Sequence, residues 1–210
     1  EPTTGQMDAL NQIFRDIESD DPMSRLIEGD VGSGKTFIAA VASYTTIMNR
    51  PGDQTYGNLQ VAYMAPTEVL AVQLFENFIE YFKNTGISIG LVTGSGCRKF
   101  PTKVASSQKP WTEISKPQLT KWIKSGEIAI TVGTHALISK SIDFHDLGLV
   151  IIDEQHRFGT NQRMKLAKKD GHAPHYLSMT ATPIPRTLAL TIYGDLDISV
   201  LDTMPSGRKP

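Results

Sequence analysis

The stretch Gly29-Asp30-Val31-Gly32-Ser33-Gly34-Lys35-Thr36 follows an apolar run at 25–28 and opens an amphipathic stretch at 35–49. It fits G-x-x-x-x-G-K-[ST], and a strand before it with a helix after it is the context in which that pattern cradles phosphates. The glycines let backbone N–H groups turn inward around an anion, and the N-terminus of the following helix adds partial positive charge. Gly29, Gly32, Ser33, Gly34, Lys35 and Thr36 are therefore the expected phosphate-binding residues, with Lys35 bridging terminal phosphates and the Thr36 hydroxyl holding Mg²⁺. The expected ligand is a nucleoside triphosphate. A Gly-rich turn ahead of a helix is the plainer reading, and the full eight-residue match in this setting argues against it.

Working outward, short apolar runs at 59–64, 87–92, 128–132, 147–153, 176–179 and 196–200 read as further strands. Between them, 68–83, 117–125 and 185–193 carry helical patterns, the last two opened by a proline in the first turn. Met7, Leu10 and Phe14 read as the buried stripe of a first helix. Strand and helix in alternation predict an α/β fold with a central, mainly parallel sheet and helices on both faces. Residues 51–58 and 94–115 read as loops, the second long enough to suggest a function of its own.

The chain has 210 residues, 21 Lys+Arg against 22 Asp+Glu, and a single cysteine, Cys97. That length buries a sizeable core without staples, one cysteine excludes an internal disulfide, and no apolar run is long enough to span a bilayer. A soluble protein of a reducing, cytoplasmic compartment is expected. A formal charge of −1 removes any bulk attraction to nucleic acid, so contacts to phosphates would be local or shared with another domain.

The run 147–153 ends in Asp153 and is followed by Glu154. Acids at the C-terminal end of a buried strand lie where open α/β sheets bind ligand. There Asp153 would orient Mg²⁺ through its water shell, and Glu154 would accept the proton of the water attacking the terminal phosphate. A strand ending in a solvated turn is the bland reading, and the upstream phosphate loop argues against it.

Asp153-Glu154-Gln155-His156, taken with 29–36 and Ser178-Met179-Thr180-Ala181-Thr182, resembles the motif set of superfamily two helicases. Ala65-Pro66-Thr67-Glu68, Val132-Gly133-Thr134-His135-Ala136, Arg157-Phe158-Gly159, Pro183-Ile184-Pro185-Arg186-Thr187 and Tyr193-Gly194-Asp195-Leu196-Asp197 sharpen this to the RecG family of ATP-dependent DNA helicases. Transcription-repair coupling translocases share much of the pattern but typically have Glu where this chain has Gln155. The resemblance implies a RecA-like P-loop NTPase lobe over 1–205, with 206–210 beginning an inter-lobe linker. It implies ATP and Mg²⁺ as cofactors, branched or duplex DNA as partner, and a monomer that works near the nucleoid, away from membranes. It also implies a second RecA-like lobe and a junction-binding wedge domain outside this chain. By the same resemblance Gln6 reads the adenine edge. Pro66, Thr67, Thr93, Gly94, Gly133 and Thr134 track a DNA backbone, and His156, Thr180 and Thr182 couple hydrolysis to that contact. A P-loop kinase or metabolite NTPase would need an arginine-bearing lid, which the sequence does not display; a non-catalytic nucleotide-dependent module stays open.

The connection from Thr93-Gly94 to Gly133-Thr134 is longer than that family usually has, and between 98 and 124 it carries seven basic residues against Glu113. A solvated charged face is the expectation there, ahead of a phosphate-contacting surface. His172 and His175, three apart, lack the companions of a metal site. His145 and Cys97 read as structural, and Leu119, Trp122 and Ile123 as core rather than a base-stacking platform.

Overall fold

The structure, a computed structural model, describes residues 2–19, 21–49, 59–102, 108–138, 142–153, 173–182 and 196–202. Among these, nine strands and four α-helices alternate for most of the chain, and they divide between two compact units. One unit comprises 1–42 and 151–210, the other 43–150. The stretches 154–172, 183–195 and 203–210 lie outside the described residues. With them lie Glu154, Gln155, His156, His172, Arg186, the expected helix at 185–193 and the linker at 206–210; the expected loop at 51–58 is likewise outside.

In the first unit, α1 (Thr4–Ile17) begins in a capping box: the Thr3 hydroxyl accepts from Gln6 N–H, and the Gln6 side chain accepts from Thr3 N–H. Its buried face is Gln6, Ala9, Leu10 and Ile13. Met7 is 44% exposed, so the expected stripe of Met7, Leu10 and Phe14 is rotated towards Ile13. Strand β1 (Ser24–Gly29) pairs in parallel with β8 (His175–Thr180) on one edge and with β9 (Asp197–Leu201) on the other. Leu26 and Ile27, which point to opposite faces of this strand, both have no exposed surface, as expected of a sheet covered on both faces. Arg25 is buried in the same sheet, its Nε donating to Asp16 at 2.6 Å and its Nη1 to Gln12 Oε1 and Ser199 Oγ. One guanidinium thus ties α1 to β1 and β9.

In the second unit, β2 (Gln60–Met64) and β3 (Ile89–Val92) pair in parallel with β6 (Ile130–Gly133). Helix α3 (Glu68–Phe82) packs its Leu74, Phe75, Phe78 and Ile79 onto β3 and β6. The expected loop at 94–115 is instead partly sheet. Strand β4 (Cys97–Phe100) runs antiparallel to β3, and β5 (Thr112–Ile114) antiparallel to β4. Helix α4 (Lys116–Lys124) then packs against β4, with Leu119 and Ile123 fully buried, as expected of core residues. Lys99 is 6% exposed, its ammonium 3.7 Å from Glu127 and over the Trp122 ring, while Arg98 and Lys109 lie over Trp111. Several of the basic residues from 98 to 124 are therefore held by aromatic faces and acids of their own unit.

Gln60, inside an apolar run, is buried with its amide fully used. Its Nε2 donates to the carbonyls of Ile123 and Ile128, and its Oε1 accepts the N–H groups of His145 and Asp146. Strand β7 (Leu147–Asp153) follows, its first four residues in the second unit and the last three in the first, as do the two ends of α2 (Lys35–Met48) in the reverse order. Cys97 is buried, and burial pushes its thiol pKa up despite the opposing pull of Lys116. Among the described residues no helix is long and apolar enough to cross a membrane, and no group of His, Cys, Asp and Glu is placed to hold a metal ion.

Replacing Gln60 by Leu would take away the partner of the His145 and Asp146 N–H groups and of the Ile128 carbonyl, while the Ile123 carbonyl keeps the Gly126 N–H, so Gln60→Leu should lower unfolding stability by about 3–5 kcal/mol, measured by urea denaturation. His175 Nδ1 accepts the Met23 N–H at 2.9 Å, which requires the unprotonated ring, and burial depresses its pKa below 6.5 against a smaller opposing effect of Asp16. Below 6.5 the unfolded chain takes up a proton that the folded chain refuses, so this residue's contribution is intact above 6.5 and declines as pH falls. The urea midpoint of wild type should therefore drop more steeply on acidification than that of His175→Gln; parallel curves would remove the assignment.

Candidate active site and nucleic-acid interface

The loop after β1 has the backbone that its glycines permit. Gly32 and Gly34 take φ of 88° and 94°, a region that side-chain-bearing residues rarely adopt. A Cβ at Gly34 would also strike the Gln6 amide. Lys35, the first residue of α2, folds its Nζ back onto the carbonyls of Gly29 at 2.5 Å and Asp30 at 3.0 Å. Ser33 is 1% exposed, and its Oγ has no hydrogen-bond partner among the described residues. Two left-handed glycines, a lysine parked on loop carbonyls and an orphaned buried hydroxyl fit a phosphate chain in chemistry and shape.

Gln6 enters this site from α1. Its Nε2 donates to the Ser33 carbonyl at 2.7 Å, while its Oε1 serves the α1 cap. The residue assigned to adenine by resemblance is thus also a tie from a helix N-terminus to the middle of the phosphate loop, a link that sequence spacing does not reveal.

The register of β1 sets what stands beside the loop. Glu28 lies opposite Thr180 of β8, one residue before Gly29, and Gly29 lies opposite Leu201 of β9. The strand carrying Ser178-Met179-Thr180 therefore ends next to the start of the phosphate loop. Beyond it Thr180 Oγ1 and Thr182 Oγ1 are 3.1 Å apart, and Thr182 N–H donates to Thr180 Oγ1, closing a small hydroxyl-backed turn. Asp153 is the last residue of β7, as the sequence pattern requires, and is partly exposed. Gly29, Lys35, Thr36, Asp153, Thr180, Thr182 and Gln6 all belong to the first unit.

The six residues expected to track a DNA backbone all belong to the second. Met64, Gly133 and Val92 form one register row across β2, β6 and β3, so the segments carrying Pro66-Thr67, Thr134 and Thr93-Gly94 leave the sheet from a common edge. Gly133 is required there, because a Cβ would run into the Val92 carbonyl. Thr67 caps α3 by accepting the Leu70 N–H. Thr93 Oγ1 donates to the Gly96 carbonyl at 2.9 Å, and the Gly94 N–H donates to Glu68 Oε1 at 2.7 Å. Glu68 is a residue that the sequence motif quotes but to which it gives no role.

Substituting Gly34 by Ala forces a side chain into left-handed backbone and against Gln6. Gly34→Ala should weaken binding of a fluorescent ATP analogue at least tenfold in direct titration, while leaving α1 and α2 helicity unchanged by circular dichroism.

The family profile described as "DEAD/DEAH box helicase" matches residues 3–191. Among curated proteins, the chain is 47% identical over its whole length to an ATP-dependent DNA helicase RecG of Haemophilus influenzae and covers 27% of that protein. To the RecG of Aquifex aeolicus it is 46% identical over 99% of its length, covering 23%. Among solved structures, RecG bound to a three-way DNA junction superposes with a TM-score of 0.75 at 38% identity, over all of this chain and 25% of that one. The helicase domain of Pyrococcus furiosus Hef, at 20% identity and a TM-score of 0.60, shares the fold. The chain spans about a quarter of the length of the RecG proteins it matches. With that match running from the first helix to beyond the turn at Thr182, the chain belongs to the DEAD/DEAH box helicase family.

Proposed function

We propose that this chain is the first motor lobe, residues 1–205, of a RecG-like ATP-dependent DNA helicase that remodels branched DNA, with 206–210 beginning the linker to a second lobe. The observation that carries the reading is the phosphate loop on β1 registered against Thr180 on β8, together with likeness to RecG proteins along the whole chain. The relatives are about four times as long, which leaves room for a second RecA-like lobe and a junction-binding domain. The work is that of a monomer in the cytoplasm, at the nucleoid.

ATP with Mg²⁺ supplies the phosphoanhydride whose cleavage drives the motor. Lys35 leaves the Gly29 and Asp30 carbonyls to pair with the terminal phosphates, and the Ser33 hydroxyl and loop N–H groups turn to the same anion. Thr36 and Asp153 would hold the metal, and Glu154 would accept the proton of the attacking water. Gln6 gives its remaining amide valences to the adenine edge while bracing Ser33. His156 relays from Glu154 to the Thr180–Thr182 turn, and Thr67, Gly94, Gly133 and Thr134, with Pro66 and Thr93, hold a DNA backbone by hydroxyl and main-chain donors that position without reading sequence.

A transcription-repair coupling motor shares this machinery, but Gln155 and the RecG matches favour the branched-DNA reading. A metabolite-directed P-loop NTPase has no support from the match to 3–191. An arginine supplied in trans is worth about 10³ to 10⁵ in rate, so the lobe alone should bind nucleotide and turn it over slowly. Lys35→Ala should abolish nucleotide binding, and Glu154→Gln in the two-lobe protein should retain ATP while losing turnover. Titration with a fluorescent ATP analogue checks binding by each variant, and steady-state ATPase with and without a branched duplex checks turnover: brisk, DNA-indifferent hydrolysis by this chain alone would sink the motor reading.

A further inference from the structure

We propose that Glu68 occupies, in the free protein, the hydrogen-bonding position that a nucleic-acid phosphate oxygen takes at Gly94, so that the backbone-tracking loops bind by exchanging a carboxylate for a phosphate. The inference rests on the reading of those loops as a nucleic-acid interface.

The turn at 93–96 is closed upon itself. Thr93 N–H and Thr93 Oγ1 both donate to the Gly96 carbonyl, and Thr93 Oγ1 lies 3.0 Å from Ser95 Oγ. The Gly94 N–H is not part of that closure. It points at α3, where Glu68 Oε1 receives it at 2.7 Å, the length of a charge-assisted bond. Gly94 is exposed, so without Glu68 this donor would face water. A Cβ at Gly94 would lie 2.6 Å from the same carboxylate oxygen, so a side chain there would push the anion away from this position. Glu68 is the first residue of α3, where the helix N-terminus adds its own attraction for negative charge. A carboxylate oxygen and a phosphate oxygen offer the same acceptor to a main-chain N–H.

The position also lies among the loops expected to hold DNA. Thr67, adjacent to Glu68, and Gly94 both follow strands that end in the Met64–Gly133–Val92 row. A phosphate arriving at Gly94 must displace the carboxylate and then tolerate its charge nearby. A lone phosphate or a free nucleotide gains a single contact from that exchange. A polynucleotide gains contacts at several loops at once, so Glu68 selects for strands over small anions.

The test uses this 210-residue chain and a fluorescein-labelled duplex, with anisotropy read across a potassium chloride series. Glu68→Gln keeps an oxygen for the Gly94 N–H and removes the charge, so it should bind about fivefold tighter at low salt and converge with wild type at high salt. Inorganic phosphate should compete better against the variant. Glu76→Gln, on the exposed face of the same helix, controls for net charge and should change little. Amide NMR reports the fold of each variant and the Gly94 resonance directly, which should shift on substitution at 68 and again on adding duplex. Equal affinity of wild type and Glu68→Gln, or an equal gain in Glu76→Gln, overturns the proposal while leaving the interface intact. If duplex moves none of the Gly94, Gly133 and Thr134 amides, the interface reading itself has failed and the proposal falls with it.

Discussion

The turn between Gly29 and Lys35 is the constraint on which the first unit depends. Its backbone passes twice through left-handed space, which is tolerated only because the surroundings hold it there. β1 is clamped on both edges by parallel neighbours, and Gln6 fastens the Ser33 carbonyl from α1. Arg25 fixes α1 to the sheet. Buried polar contacts thus hold the loop and the elements around it in place. A loop whose backbone shape exists beforehand needs little main-chain reorganisation to receive a ligand.

Much of this was legible from residue order. Apolar runs bounded by glycine and acids located β1, β2, β6 and β7 to within two residues, and β7 ends at Asp153 as its pattern required. Of these, β2, β6 and β7 are hydrophobic almost throughout because they are buried on both sides, a local signature of a central parallel strand. β4 and β5 were illegible for the opposite reason. Cys97-Arg98-Lys99-Phe100 carries two cations, and Lys99 reads as surface until Glu127 and the Trp122 ring, both distant in sequence, come to its ammonium. Such strands owe their existence to pairing partners, not to their own composition.

The candidate site divides along the same line. The phosphate loop announces itself because its chemistry needs a fixed local spacing. The roles of Gln6 and Glu68 as ties do not, because each depends on a contact between segments far apart in the chain. Gln60 is the starkest case: nothing in an apolar strand signals that one polar residue will satisfy four main-chain groups from three places. Long-range polar bonds of this sort are invisible to periodicity, which registers only which face of an element is apolar.

The state of Cys97 has a practical side. The chain's one thiol is buried in β4 and held in its protonated, weakly nucleophilic form. Maleimide dyes should therefore ignore it and react with cysteines introduced at exposed sites, such as Met7 in one unit and Val69 in the other. A donor and an acceptor fluorophore could then be attached without first engineering the wild-type thiol away, and the separation of the two units followed in single molecules as nucleotide and DNA are added.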